Sequence, residues 1–330
     1  MSLAMENQSV HPGPRSRFRT VLDSLKQAGI AFGLRKAAAD AELPTEGELD
    51  IWLDPRSVAA TDALLAQVGF YRFIAPGQGR HRFYLSFEKG RWLKVDAKLG
   101  DMGPSRPARF RVPGAAERIW AALARRRFAR MRRLGPVVAV LGPDGAGKGS
   151  VIAGLQRAIP VAVTPLYLGR RSPRAGLAES ARTIESMRSR AGPTRQTAFV
   201  LRNALRSWTR LLSGYLAAWR GHIVLCDRHP IEVLAVRPER TQPARTIERF
   251  IASRLTPKPD ALILLDAPGE ILFRRKGEHS TEVLERWRRN YAEVFVPLGA
   301  TIVPTTGPPK AAVAQASEVV WGALRRRRVW

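Results

Sequence analysis

Between residues 142 and 150 the chain reads Gly142-Pro143-Asp144-Gly145-Ala146-Gly147-Lys148-Gly149-Ser150. Glycines at that density let a loop curl until successive backbone N–H groups face a single anion. The apolar run Val137–Leu141 precedes the loop and a helical pattern follows it. The loop is therefore expected between a strand and the positive end of a helix, the context of a phosphate-binding P-loop. In that reading the loop amides hold ATP and Lys148 neutralises its terminal phosphates. The hydroxyl that usually follows the lysine arrives one place late, after Gly149, which makes Ser150 the candidate Mg²⁺ ligand.

Two further clusters lie downstream. The run Ile223-Val224-Leu225-Cys226-Asp227-Arg228-His229-Pro230 puts Asp227 and Arg228 at the carboxyl end of a strand, where open α/β sheets bind ligands. A carboxylate there can organise Mg²⁺ or accept a hydroxyl proton, and a guanidinium can hold a phosphoryl group or its acceptor. Pro259-Asp260 then opens a strand that ends in Leu264-Leu265-Asp266-Ala267-Pro268-Gly269-Glu270, followed by Arg274-Arg275-Lys276.

Taken together, residues 136–324 resemble the thymidylate kinase superfamily of nucleoside monophosphate kinases. The Asp-Gly-x-Gly-Lys part of the loop is similar to thymidylate kinases, and its Gly-Lys-Gly-Ser order to adenylate kinases. The resemblance implies ATP on Gly142, Asp144, Gly145, Ala146, Gly147, Lys148, Gly149 and Ser150. It also implies that Asp144 and Asp227 face the acceptor or its magnesium and that Arg228 holds the acceptor. Arg274, Arg275 and Lys276 would close over the transferring group, so the catalytic candidates are Lys148, Asp227, Arg228 and Arg274. Read from the residues alone, the last three cations fit a charged helix end equally well, and Asp266 fits a cap on the next helix. Arg170, Arg171 and Arg174 fit either an anion grip or a solvated loop. His229 stands where that family often has tyrosine, and Tyr167–Thr197 has no clear counterpart of thymine-binding residues. The expected acceptor is thus a small nucleotide-like or sugar-like metabolite rather than dTMP.

Earlier in the chain, Glu48 and Asp50 stand two apart in the strand-like run Leu49–Leu53, so both project to one face. Asp96 lies in a later strand. Three carboxylates converging from neighbouring strands suit metal-assisted nucleotidyl transfer. Residues 20–112 resemble the nucleotidyltransferase fold, although the Gly-Ser motif of that family is missing and Asp50-x-x-x-Asp54 offers a competing pair. A degenerate recognition domain and a coincidence of exposed acids are the alternatives.

These residues need elements to carry them. Apolar spacing predicts helices over Phe18–Phe32 and Val58–Val68, a strand over Leu49–Leu53 stopped by Asp54-Pro55, and a hairpin of Arg82–Phe87 with Trp92–Ala97. From Pro136 onward, strands at Val137–Leu141, Val161–Leu168, Ile223–Cys226, Ala261–Leu265 and Thr301–Val303 alternate with helices, including Thr197–Arg220 and Thr281–Val296. That alternation predicts a buried parallel sheet. The expected organisation is a loose arm (1–14), a small α+β nucleotidyltransferase-like domain (15–112), a basic linker helix (113–135) and an α/β P-loop domain (136–330) with about five parallel strands and flanking helices.

The chain has 330 residues, 45% hydrophobic, which excludes a disordered polymer and is enough for two cores. The net charge of +27 is spread unevenly: 17 basic against 12 acidic residues in 1–112, 7 against 1 in 113–134, and 31 against 15 thereafter. Of the basic residues 46 are Arg and 9 Lys, the bias of GC-rich coding, so much of the excess reads as background. The single cysteine, Cys226, excludes an intramolecular disulfide and fits a reducing cytoplasm. No run is apolar enough for a transmembrane span. No guanine-specificity motif, full ABC signature or strand-ending Asp-Glu pair is present.

The leading expectation is an ATP- and Mg²⁺-dependent kinase acting on a small-molecule acceptor, with a homodimer possible. A second is a bifunctional enzyme that adds nucleotidyl transfer. A third is an ATP-gated protein recruited to nucleic acid or acidic membrane through residues 115–134 and 325–328.

Overall fold

A computed structural model describes residues 14–35, 47–74, 80–100, 135–169, 192–236, 241–277 and 279–327. The expected linker helix over 113–134, the arm up to residue 13, and Arg170, Arg171, Arg174 and Arg328 lie outside the described residues. Those described form a mixed α/β structure with two five-stranded sheets, in two compact units.

The first unit begins with α1 (Pro14–Gln27), whose Phe18, Val21, Leu22 and Leu25 recur at helical spacing and are buried. The helix ends five residues before the expected Phe32. Gly29 takes φ +66°, and the Ile30 amide donates back to the Leu25 carbonyl, a glycine-terminated stop that a side chain at 29 would strain. The chain then turns out as β1 (Phe32–Leu34), antiparallel to β2 (Glu48–Leu53). Asp54 ends β2 by accepting from the Arg56 amide at 2.9 Å, and α2 (Val58–Gln67) leads to β3 (Tyr71–Phe73). The hairpin is formed as expected by β4 (His81–Glu88) and β5 (Arg91–Leu99). Lys89 and Gly90, both at positive φ, make the two-residue turn that matches strand twist.

The order is β1-β2-β5-β4-β3, with β2 and β5 parallel and every other neighbour antiparallel. Leu49, Ile51 and Leu53 join Leu93, Val95 and Ala97 in the core under α1. Strand alternation sends Glu48, Asp50 and Asp96 to the opposite face, and the register sets Asp50 directly beside Asp96.

The second unit is a sheet of order β10-β9-β6-β8-β7 in which all pairs are parallel. Its strands are β6 (Val137–Leu141), β7 (Val163–Tyr167), β8 (Ile223–Asp227), β9 (Ala261–Asp266) and β10 (Ala300–Pro304). All of β6 is buried, the reason it reads as an unbroken apolar run rather than an alternating one. The α-helices of this unit are α3 (Lys148–Ala158), α4 (Pro193–Trp219), α5 (Gln242–Phe250), α6 (Gly269–Lys276), α7 (Thr281–Phe295) and α8 (Pro309–Arg326). A π turn, Ile251–Leu255, extends α5. Asp260 anchors the start of β6 by accepting from the Val137 amide at 2.6 Å, and it also pairs with Arg327.

Candidate functional site

Residues 142–147 connect β6 to α3 at the carboxyl edge of the parallel sheet. The loop closes tightly on its neighbours: a Cβ on Gly145, which has φ +85°, would stand 2.5 Å from the Leu272 carbonyl oxygen of α6. Lys148, at the start of α3, is buried and donates to the carbonyls of Gly142 at 2.6 Å and Pro143 at 2.9 Å. Lys148, Gly149 and Ser150 make up the first turn of α3, and amides of a first helical turn have no carbonyl a turn earlier to donate to. Gly149 and Ser150 are exposed.

The next strand brings its own charges to the same place. Asp227 ends β8, and Arg228 follows at φ +65°, one of two described non-glycine residues in the left-handed region. Such a conformation costs energy in a non-glycine residue and is held only where neighbours over-determine it. Here the guanidinium pairs with Asp144 of the glycine loop and lies 3.8 Å from Glu232. Lys276, at the end of α6, reaches Asp144 at 3.4 Å. Three acidic side chains, Asp144, Asp227 and Glu232, thus meet three basic ones, Lys148, Arg228 and Lys276.

Burial and mutual charge shift these groups in different directions. Desolvation raises the Asp144 carboxyl, but Arg228, Lys148 and Lys276 outweigh it and leave it below the usual range. Burial raises Asp227, with Lys148 and Arg228 only partly offsetting it. Glu232 is pushed up to about 7 by burial despite the same two cations. Lys148 is lowered by burial, which the attraction of Glu232 only partly counters. Burial opposes the charge on Arg228, yet Glu232 and Asp144 hold it above its ordinary value. One oxygen each of Asp227 and Glu232, the Tyr291 hydroxyl and His229 Nε2 are buried with no hydrogen-bond partner. A sheet edge that concentrates shifted, under-satisfied groups in this way is equipped to bind an anion and move a proton.

Of the three cations at the end of α6, only Lys276 reaches Asp144. Arg275 donates to the Thr305 carbonyl at 2.6 Å and more distantly to the Gly145 carbonyl, tying the loop to the segment after β10. Arg274 is exposed on the surface of α6. Asp266 does not cap α6 as expected: it holds Arg288 of α7 through two bonds of 2.7 and 3.0 Å. The first amide of α6, Gly269, donates instead to Glu285 of α7 at 3.0 Å. The next helix supplies the cap: both Asp266 and Glu285 hold Arg288, and Glu285 also accepts from the Gly269 amide.

Sequence reading missed Glu232 and Tyr291. Glu232 had a signal, a lone acid inside Pro230–Val236 and four residues after Arg228, the spacing of neighbours on a helical turn. Tyr291 carried no such signal, since in sequence it reads as ordinary helix core; burial, reinforced by the neighbouring Glu232, holds its hydroxyl well above the usual ionisation range.

In the first unit Glu48, Asp50 and Asp96 do converge, with ligand oxygens within 4.8 Å of one another. Each also has a basic side chain beside it, Arg35 being shared by two of them. Arg35 Nη1 lies 3.3 Å from both Asp50 and Asp96, His81 Nδ1 lies 2.7 Å from Asp96, and Lys94 Nζ lies 2.9 Å from Glu48. The competing acid Asp54 is occupied as the cap of the turn after β2. The donor set suits a divalent cation, provided that Arg35 and Lys94 yield their places. No family model matches this chain, and no curated protein matches it significantly.

Proposed function

We propose that the second unit is a P-loop phosphotransferase, similar in plan to thymidylate kinases, that moves the γ-phosphoryl of ATP to a hydroxyl or phosphate oxygen of a small metabolite. The observation that carries this reading is Lys148. It is buried beneath a glycine loop at the carboxyl edge of a parallel sheet, and it bonds only to loop carbonyls, within reach of Asp144, Asp227 and Arg228. A lysine so placed exchanges carbonyl oxygens for phosphate oxygens when the loop fills, and the first-turn amides of α3 then take the remaining phosphate charge.

Ser150 and Asp227 would hold Mg²⁺, which supplies charge neutralisation on the phosphates. Where that ion is held through its water shell instead, the Asp227 carboxylate, which burial makes more basic, would accept the acceptor's proton. Arg228 and Lys276, both paired with Asp144 at rest, would hand their charge to the transferring group. Lys148→Ala is expected to abolish ATP binding and lower transfer by at least about a hundredfold. Filter binding of labelled ATP, and labelling of a panel of small hydroxyl and phosphate acceptors, check this. Intact binding and transfer in that variant would overturn the reading.

The convergence of Glu48, Asp50 and Asp96 favours a second activity, metal-dependent nucleotidyl transfer in the first unit. Asp50→Asn should then stop pyrophosphate release from nucleoside triphosphates while leaving γ-phosphoryl transfer unchanged. Unchanged release would eliminate it.

A further inference from the structure

Helix α4 carries a surface that phosphoryl transfer does not use. It runs for 27 residues, and its Val200, Leu211 and Ala218 are buried against the sheet unit. On another side Leu201, Leu205, Leu212, Leu216 and Trp219 are all 40–62% exposed. Their spacings of four, seven, four and three residues keep them on one stripe of the helix. From end to end the stripe covers about 27 Å at the helical rise. Single exposed leucines are ordinary; five aligned large apolar side chains are not.

The charge beside the stripe is one-signed. Arg202, Arg206 and Arg220 each follow a stripe residue by one position, about 100° further round the helix, and Arg195 lies on the same side near its start. All four are exposed, and α4 contains no Asp or Glu. The adjoining α5 and π turn leave Phe250 and Leu255 exposed as well. A leucine stripe edged by arginines with no acid on the same helix matches a surface that offers hydrocarbon and fixed negative charge side by side.

We propose that this face of α4 docks on an anionic lipid bilayer surface, with Leu205 and Leu212 entering the acyl boundary and Arg202 and Arg206 meeting the headgroups. A second copy of the chain fits less well. Symmetric pairing along the stripe would bring arginine rows together with no acid on the helix to meet them. Nucleic acid would engage the arginines but gain nothing from the leucines. No helix among the described residues is long and apolar enough to cross a membrane, so the association is peripheral.

The full chain is sedimented with vesicles of phosphatidylcholine alone and with phosphatidylglycerol added. Binding is expected only to the anionic vesicles and should weaken as salt is raised. Leu205→Gln/Leu212→Gln, which leaves the net charge untouched, should weaken it by about tenfold or more. Arg202→Gln/Arg206→Gln should weaken it comparably, whereas Arg286→Gln/Lys310→Gln, which removes two exposed charges elsewhere, should change it by less than about twofold. The substituted side chains are exposed, and unchanged thermal unfolding confirms that each variant is folded.

Equal losses from the two charge pairs, with none from the leucine pair, would assign binding to overall charge and overturn the proposal. Equal binding to neutral vesicles would also overturn it. So would a dimer in sedimentation velocity that the leucine pair dissociates in a protein that ignores vesicles.

Discussion

Glu232 and His229 sit three residues apart beside Arg228, both buried, with ionisations displaced in opposite directions. Glu232 titrates in the fold at about 7, above its ordinary 4.5, so the folded state holds more protons than the unfolded state between those values. Stability therefore falls as pH rises through that window and stays reduced above it. Burial lowers His229 from 6.5 to about 4, so the unfolded state holds more protons there and stability rises with pH over that range. Each effect is worth about 3 kcal/mol at most, and the two oppose one another over their overlap. The urea midpoint of the wild type should change little between pH 4.5 and 6.5 on account of this pair. Glu232→Gln should expose the rise due to His229, and His229→Gln should expose the fall due to Glu232. Above pH 7 Glu232→Gln should be the more stable protein, and a Glu232→Gln profile parallel to wild type would show that the carboxyl is already ionised at rest.

At the scale of elements, what could be read from sequence depended on whether the signal was local. The central strands β6, β8 and β9 were legible because burial on both faces leaves continuous apolar runs, whereas the edge strands β7 and β10, largely half-buried or exposed, were read from their short β-branched runs and the strand–helix alternation. The β4–β5 hairpin was legible because Lys89-Gly90 fixes its own turn. The end of α1 was not, because Phe32 continues the apolar rhythm of the helix while Gly29 and the pairing of β1 with β2 stop it. The glycine loop announced itself, and Lys276, already one of the three basic candidates at the end of α6, does reach its Asp144; Glu232, from the turn after β8, was not read because it acts on Arg228 rather than on the loop. The α6 cap illustrates the same limit. Asp266 is adjacent in sequence and chemically able, yet Arg288 of α7 claims it and Glu285 of α7 takes the Gly269 amide. Glu285→Ala removes that cap and the contact with Arg288, so it should cost about 1–2 kcal/mol in urea unfolding, whereas an ordinary exposed glutamate on α7 would cost less than about 0.5 kcal/mol. A loss as small as that of an exposed glutamate would show that the Gly269 amide is satisfied without it.

Over the whole molecule the charge of +27 separates into unlike parts. Lys148, Arg228 and Lys276 face Asp144, Asp227 and Glu232 in one cluster, with Asp144 shared by Arg228 and Lys276, so these cations add a site and little to the net charge. In the first unit two cations meet three acids: Arg35 lies between Asp50 and Asp96, and Lys94 pairs with Glu48. Among the described residues, exposed faces such as that of α4 carry arginines with no acid on the same helix. This division bears on stability, because each compact unit has its own sheet and its own core. Calorimetry should resolve two unfolding transitions. In the first unit Asp62 accepts from Tyr84 at 2.7 Å and from Arg82 at 2.8 Å, so Asp62→Ala should lower one transition by several degrees and leave the other in place. Mg·ATP at about a hundred times its Kd should stabilise the unit it occupies by about 2.7 kcal/mol, raising the transition that Asp62→Ala leaves alone. A rise confined to the Asp62-sensitive transition would place nucleotide on the first unit and turn attention from Lys148 to Asp50. A single transition moved by both would mean that the two cores unfold as one, and that a change at either site is felt at the other.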